Sequence, residues 1–247
     1  MNLPLALDAS AAGFVVALAR AGGLAFTAPL LGDRGTSSRI RLVFTVAVAA
    51  VLSGRAGAPT VTPAAVFAVA PIELAAGALT GITARIILDR IATGAQYIGV
   101  HAGLGFAQSY DHAAGESASV VRALVTTIAG LAFLAADGLE ALVRALTVPV
   151  GPAALADGLA GATTAALAVT GAAIGVAAPV LLAATIVNVG LALINRAVPA
   201  VNVFSVSLPV VLLVAGVALL ATASATAGAI DRAAADAVAV LLGGGVS

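Results

Sequence analysis

An all-helical membrane protein is the fold class this sequence predicts, and three observations carry the prediction. Hydrophobic residues make up 62% of the 247 and charged residues only 9%, against about 25% charged in soluble domains. Apolar runs near the roughly 20 residues that a bilayer crossing requires recur along the chain. Short stretches rich in arginine, glycine, proline and serine punctuate them. No soluble domain or linker interrupts the pattern, so residues 1–247 read as one integral membrane unit.

The elements follow in order. Residues 11–31 form the first apolar segment, with Arg20 at its middle. Because no lysine or arginine precedes Arg20, the segment lacks the basic leader of a cleaved secretory signal and is expected to be retained. A polar connector, residues 32–41, holds Arg34, Arg39 and Arg41, and residues 42–53 make a short second segment. The third, residues 63–84, carries Glu73 and leaves through Arg85, Asp89 and Arg90 into a glycine-rich fourth, residues 91–107. A polar loop, residues 108–119, precedes the fifth segment, residues 120–148, whose second half holds Asp137, Glu140 and Arg144. The long apolar run of residues 153–194 contains Gly171, Gly175 and Pro179, which are expected to divide it. Pro199 and Pro209 bracket a bent or extended connector, residues 197–209, because proline lacks an amide donor and biases its predecessor away from helix. A last apolar segment, residues 206–222, leads into a weakly amphipathic tail. With seven alternating segments and the N-terminus outside, seven arginines fall inside against three outside, which obeys the positive-inside rule.

Composition narrows function. Eleven arginines balance eleven acids, so nothing electrostatic favours nucleic acid. There is no cysteine, which removes disulfides, thiolate metal sites and cysteine nucleophiles. Alanine dominates the apolar runs and tryptophan is absent. Small residues suit helices that pack closely against other protein, although a GC-rich genome explains alanine equally well. Catalysis finds no foothold: no HExxH, no GxSxG elbow and no phosphate-binding lysine occur, and Gly103-Leu104-Gly105-Phe106 lacks the third glycine of a dinucleotide fingerprint. His101 and His112 make no metal site by themselves. No enzyme activity, cofactor or metal is expected.

Arg20 and Glu73 stand out, because each mid-segment charge costs about 2.5–3.5 kcal/mol on the insertion scale. Pairing lowers that cost. The pair either lines a polar conduit or fixes helix packing, and packing has the greater weight. Glu140 and Arg144 stand four apart in the order that favours a pair, with Asp137 one turn earlier. Gly77 and Gly81, Gly99 and Gly103, and Gly171 and Gly175 share the four-residue spacing of close helix packing.

The order Asn188, Gly190, Arg196, Pro199, Asn202, Phe204, Pro209, Gly216 resembles the C-terminal pattern of the FliR family of type III export-gate subunits. Upstream, Arg20, Pro29, Arg39, Glu73, Gly77, Gly81, Gly94, Gln96, Gly99, Phe106, Tyr110, Asp111, Gly115, Pro149, Gly151 and Pro179 continue the likeness. The chain departs from it with His112 after the aspartate, where the family has proline, and with Asp137-Gly138-Leu139 for Asn-Gly-His. A Ser-Phe pair before Pro149 is also missing.

The resemblance implies helical hairpins, with a P-like half over about residues 1–150 and a Q-like half over about 151–247. It implies companion subunits P and Q, the B and A export components, unfolded flagellar substrates and membrane lipid as partners. The place implied is the flagellar basal body in the bacterial inner membrane, flagellar rather than virulence-type. It further implies that the loop of residues 106–116 helps to plug the channel, with Phe106, Tyr110 and Asp111 in that role; an ordinary surface loop accounts for the same residues. Pro29, Gly77, Gly81, Pro179, Asn188, Arg196, Pro199, Asn202, Phe204 and Pro209 would serve subunit packing. A small secondary transporter with a midplane site near Arg20, Glu73 and Arg196 is the other function weighed.

Overall fold

The computed structural model describes residues 9–33, 35–54, 62, 65–101, 120–148, 152–197 and 203–243. Among them are eight α-helices and no strand: α1 Ala9–Thr27, α2 Ser38–Ser53, α3 Val66–His101, α4 Val120–Ala135, α5 Gly138–Ala145, α6 Pro152–Ala197, α7 Val203–Ala221 and α8 Ala223–Leu241. The protein is an all-α membrane protein.

Local chemistry sets the ends. Beyond α1, Ala28 and Pro29 are buried and Leu30 takes a left-handed φ of 67°, an uncommon conformation for a bulky side chain. Gly32 follows where a Cβ would stand 2.6 Å from the Phe26 carbonyl oxygen. Ser37 caps α2, accepting a hydrogen bond from the Ile40 amide, and Pro152 begins α6, where its missing N–H is no loss.

Several boundaries differ from those the sequence suggests. The third and fourth segments form the single helix α3, because the stretch from Arg85 to Arg90 contains no backbone breaker. The run of residues 153–194 stays whole as part of the 46-residue α6, with Pro179 inside it. α7 begins at Val203 and takes in Pro209, so residues 203–209 of the expected connector are helical, while residues 198–202 lie outside the described residues. Proline removes one backbone hydrogen bond and crowds the preceding turn, costs that long apolar helices absorb when neighbouring groups satisfy the freed carbonyl. The fifth segment is broken where Asp137, at φ 58°, sends α5 off at 68° to α4. The tail is the full helix α8, bent 60° from α7. Seven alternating crossings are therefore not what the helices form. Among the described residues two helices, α3 and α6, are long and apolar enough to cross a membrane, or up to four elements if each bent pair counts once. The arginine count built on alternation loses its basis.

Two compact units emerge. The first comprises Met1–Ile87, Phe133–Ala166 and Ala235–Ser247. In it α1 packs on α2, and Ala12 and Val16 meet Val66. α1 also meets the first half of α3 at backbone level: a Cβ at Gly23 would fall on the Leu74 carbonyl, one at Gly77 on the Arg20 carbonyl, and one at Gly81 on Thr27. The Thr27 hydroxyl donates across this contact to the Ala78 carbonyl at 3.0 Å. The second unit comprises Leu88–Ala132 and Leu167–Ala234. Its core joins Ile98 with Ala177, Val180 and Ala215, and Gly94 lies against α6, where a Cβ would be 2.8 Å from the Ala173 carbonyl oxygen.

Of the glycine pairs singled out by spacing, Gly77 and Gly81 make close contacts within the chain, while Gly171 and Gly175 face open space in it. Gly103 lies outside the described residues. We expect Gly77→Ala to destabilise the purified protein by about 1–3 kcal/mol, as overpacking does. Gly171→Ala should be neutral or stabilising by up to about 1 kcal/mol through helix propensity. Melting temperatures in detergent check both, and equal effects would contradict the contact assignment.

Candidate functional site

The residues that make the α1–α3 approach possible also set its chemistry. Glu73 precedes Gly77 by one turn of α3, and Arg20 precedes Gly23 by three residues of α1. Side chains at such spacings share a helix face, so bringing the glycines together brings the charges together. Arg20 donates its Nε hydrogen to Glu73 Oε2. Both side chains are largely removed from solvent, at 12% and 7% exposure.

Arg20 does more than neutralise Glu73. Its Nη1 donates to the Leu146 carbonyl at 2.7 Å and the Val148 carbonyl at 2.9 Å. These carbonyls stand just past α5, where helix geometry leaves acceptors without partners and a cation is favoured. One guanidinium therefore ties α1, α3 and the end of α5 together. The other end of α5 is also fixed. Phe133, fully buried, presses its ring on Gly138, where any Cβ would collide with it. On the outer side Glu140 and Arg144 form an exposed pair at 2.6 Å. Asp137 takes no part in it and stands at the N-cap without a side-chain cap bond.

A second, more exposed group braces the turn between α1 and α2. Arg41 donates to the Leu31 carbonyl at 2.7 Å and to the Asp33 carbonyl, with its guanidinium 6.0 Å from the Phe26 ring centre. Arg85 reaches Asp33 Oδ1 at 2.9 Å. Half-exposed pairs of this kind contribute about 0–1 kcal/mol, so this group shapes a turn rather than anchoring the unit. Among the described residues no cluster of His, Cys, Asp and Glu could hold a metal.

The remaining candidates are dispersed. Pro29 is buried after α1, Pro179 and Pro209 lie inside α6 and α7, and Asn188 and Arg196 are exposed on α6. Phe106, Tyr110, Asp111, Pro199 and Asn202 lie outside the described residues. Phe204 falls within α7. Sequence reasoning missed Gly23, Asp33 and the two carbonyls. Gly23 was findable from the neighbouring Gly22-Gly23 pair in an apolar run, whereas a carbonyl acceptor leaves no mark in a sequence.

Removing one member of a buried ion pair costs about 3–5 kcal/mol, and Arg20→Glu or Glu73→Arg alone should lose stability on that scale. The double exchange should recover only part of the loss, because a carboxylate at position 20 cannot donate to the Leu146 and Val148 carbonyls. Melting of the purified variants checks this. Full recovery would show the carbonyl contacts to be idle, and no recovery would remove the pair itself as a stabilising contact.

The comparisons with known proteins agree on one assignment. The family described as Bacterial export proteins, family 1, matches residues 11–237. The flagellar biosynthetic protein FliR of Caulobacter vibrioides is 29% identical over 226 residues, 84% of this chain and 87% of that protein. FliR of Escherichia coli is 26% identical over 212 residues, 83% and 81% of the two chains. FliR of Pectobacterium carotovorum is 26% identical over 203 residues, 76% and 75%. A match over nearly the whole length, on a chain whose helices suit a membrane and whose Arg20, Glu73 and glycines build one packed node, places it: the protein belongs to the bacterial export proteins of family 1, the FliR family.

Proposed function

We propose that this chain is a structural, conduit-forming subunit of the bacterial flagellar type III export gate, passing unfolded flagellar subunits across the inner membrane. The observation that carries the reading is how little the chain covers its own apolar helices. In the membrane-length windows of α3 and α6 only 33% and 17% of the residues are buried. Leu167, Ile186 and Leu193 on α6 stand 82%, 71% and 62% exposed, and Leu220 on α7 79%. Lipid can cover apolar side chains, but it offers nothing to exposed Asn188, Asn195 and Arg196 on the same helix. An assembly of helical subunits supplies both, apolar side chains for the one and an enclosed polar path for the other.

In this reading the chain joins companion subunits P and Q, with the B and A components and the exported polypeptide as further partners. Residues 1–150 supply P-like helices and residues 151–247 Q-like ones. The Arg20–Glu73 node sets the angle at which α1, α3 and α5 meet those neighbours. No substrate-sized void is required of it, since Arg20 already spends three hydrogen bonds on Glu73, Leu146 and Val148.

The test is replacement. Introduced into a normally flagellated bacterium from which its own FliR has been deleted, this chain should restore secretion of flagellar subunits, and mild-detergent purification should yield it in a large complex with shorter helical proteins. Recovery as a stable monomer or homodimer without secretion would refute the proposal. Deleting residues 108–115 should raise ion leakage through the assembled gate, measured as loss of membrane potential, and an unchanged leak would remove the plug from the proposal.

A further inference from the structure

The last turns of α6 carry a second polar feature, separate from the Arg20 node. Between Asp157 and Arg196 the helix contains no charged side chain. At 100° per residue, Thr185, Asn188, Asn195 and Arg196 fall within an arc of about 100°. Ile186, Gly190, Ile194 and Ala197 occupy the opposite side. Both sides are open: the four polar residues are exposed, and Ile186 and Ile194 are 71% and 50% exposed. Thr185 turns its hydroxyl back to the Leu181 carbonyl at 2.7 Å. Asn188, Asn195 and Arg196 have neither a hydrogen bond nor an ion pair within the described residues.

Arg196 alone has a simple explanation, since a cation in the last turn of a helix offsets the helix dipole. The two asparagines in line with it do not. A carboxamide has two donors and an acceptor, and leaving these unmet in hydrocarbon costs several kcal/mol. Such a segment requires two surroundings, one polar and one apolar.

Resting on the export reading above, we infer that the Thr185–Asn188–Asn195–Arg196 stripe borders the water-filled path of the exported polypeptide, while the Ile186–Ile194 side is turned away from water. The chemistry fits an unfolded chain. Asparagine amides both donate to and accept from a peptide backbone, and a guanidinium donates to its carbonyls, so none of them selects among side chains. Contacts that any extended segment makes and breaks alike permit passage without regard to sequence.

The absence of cysteine in the chain makes the test direct. Asn188→Cys, Asn195→Cys, Ile186→Cys and Ile194→Cys are made singly, and the assembled complex in membranes is treated with a charged, membrane-impermeant methanethiosulfonate. A thiol in apolar surroundings has a raised pKa and little reactive thiolate, so the two stripe positions should react at least roughly tenfold faster than the two isoleucine positions. A flagellar subunit fused to a domain too stable to unfold, stalled in transit, should slow the stripe reactions and leave the others unchanged. Slow stripe reactions, or equal rates on both sides, would overturn the inference. Fast stripe reactions indifferent to the stalled chain would overturn the stripe's place on the route while leaving the export reading standing, because that reading is judged by restored secretion. Should Asn188→Cys reduce the amount of assembled protein, the rates at Asn195→Cys, with and without the stalled chain, decide between these outcomes.

Discussion

The contact between α1 and α3, where glycines let two helix backbones touch, is the constraint on which the first compact unit depends. Gly23, Gly77 and Gly81 have no side chain because the facing backbone already occupies that space. At such a separation dispersion between main-chain atoms replaces interdigitating side chains. The Thr27 hydroxyl, its one hydrogen shared between the Gly23 carbonyl of its own helix and the Ala78 carbonyl, marks how close the approach is. The ion pair is a consequence. With helix backbones held apart by leucines, Arg20 and Glu73 would have to reach further, and two charges in an apolar setting without each other carry the full insertion cost. The α5 end depends in turn on the pair, because Glu73 occupies the Nε side of the guanidinium and leaves Nη1 for the carbonyls of Leu146 and Val148.

That arrangement explains why alanine serves this chain well. An alanine buries only a methyl group, so a core with Ala12, Ala21 and Ala25 in the first unit, or with Ala173, Ala177 and Ala184 in the second, gains little from transfer out of water or lipid. It gains instead from the short distances such residues permit. The larger apolar side chains are distributed differently. Phe133, Leu24, Ile87 and Leu142 fill the interior, while Phe26, Phe67, Leu131, Leu167, Leu182 and Leu220 point outward. A protein that keeps small residues inside and many of its large ones outside completes its packing against something other than itself.

The sequence was informative where one residue decides the structure. The all-helical class followed from composition, and the first two segments from apolar runs separated by a polar turn. Arg20 and Glu73 could be singled out because a lone charge in an apolar stretch needs an explanation. It misled where a residue's effect depends on surroundings. Arg85, Asp89 and Arg90 look like an exit from a membrane, but α3 continues through them. Pro179 and Pro209 break isolated helices, yet here both lie within helices. The break at Asp137 is the converse, since aspartate tolerates the left-handed conformation but its identity alone does not demand it. Spacing likewise cannot separate Gly77, in contact, from Gly171, in the open.

Helix length carries the last step. At 1.5 Å per residue α3 is about 54 Å long and α6 about 69 Å, against a hydrocarbon core of roughly 30 Å. Tilting does not reconcile them. Even at about 40°, the upper end of the usual range, α6 would still rise roughly 53 Å along the bilayer normal. Some 20 Å of α6 must therefore leave the hydrocarbon, and the 38 residues between Asp157 and Arg196 are all uncharged. An apolar helix end in water is as unfavourable as a polar stripe in lipid, and α6 presents both within its last four turns. A wall of neighbouring protein, apolar on one side of the helix and enclosing water on the other, satisfies both requirements at once. That is why the exposed faces of this chain make better sense as parts of an assembly than as a surface for lipid.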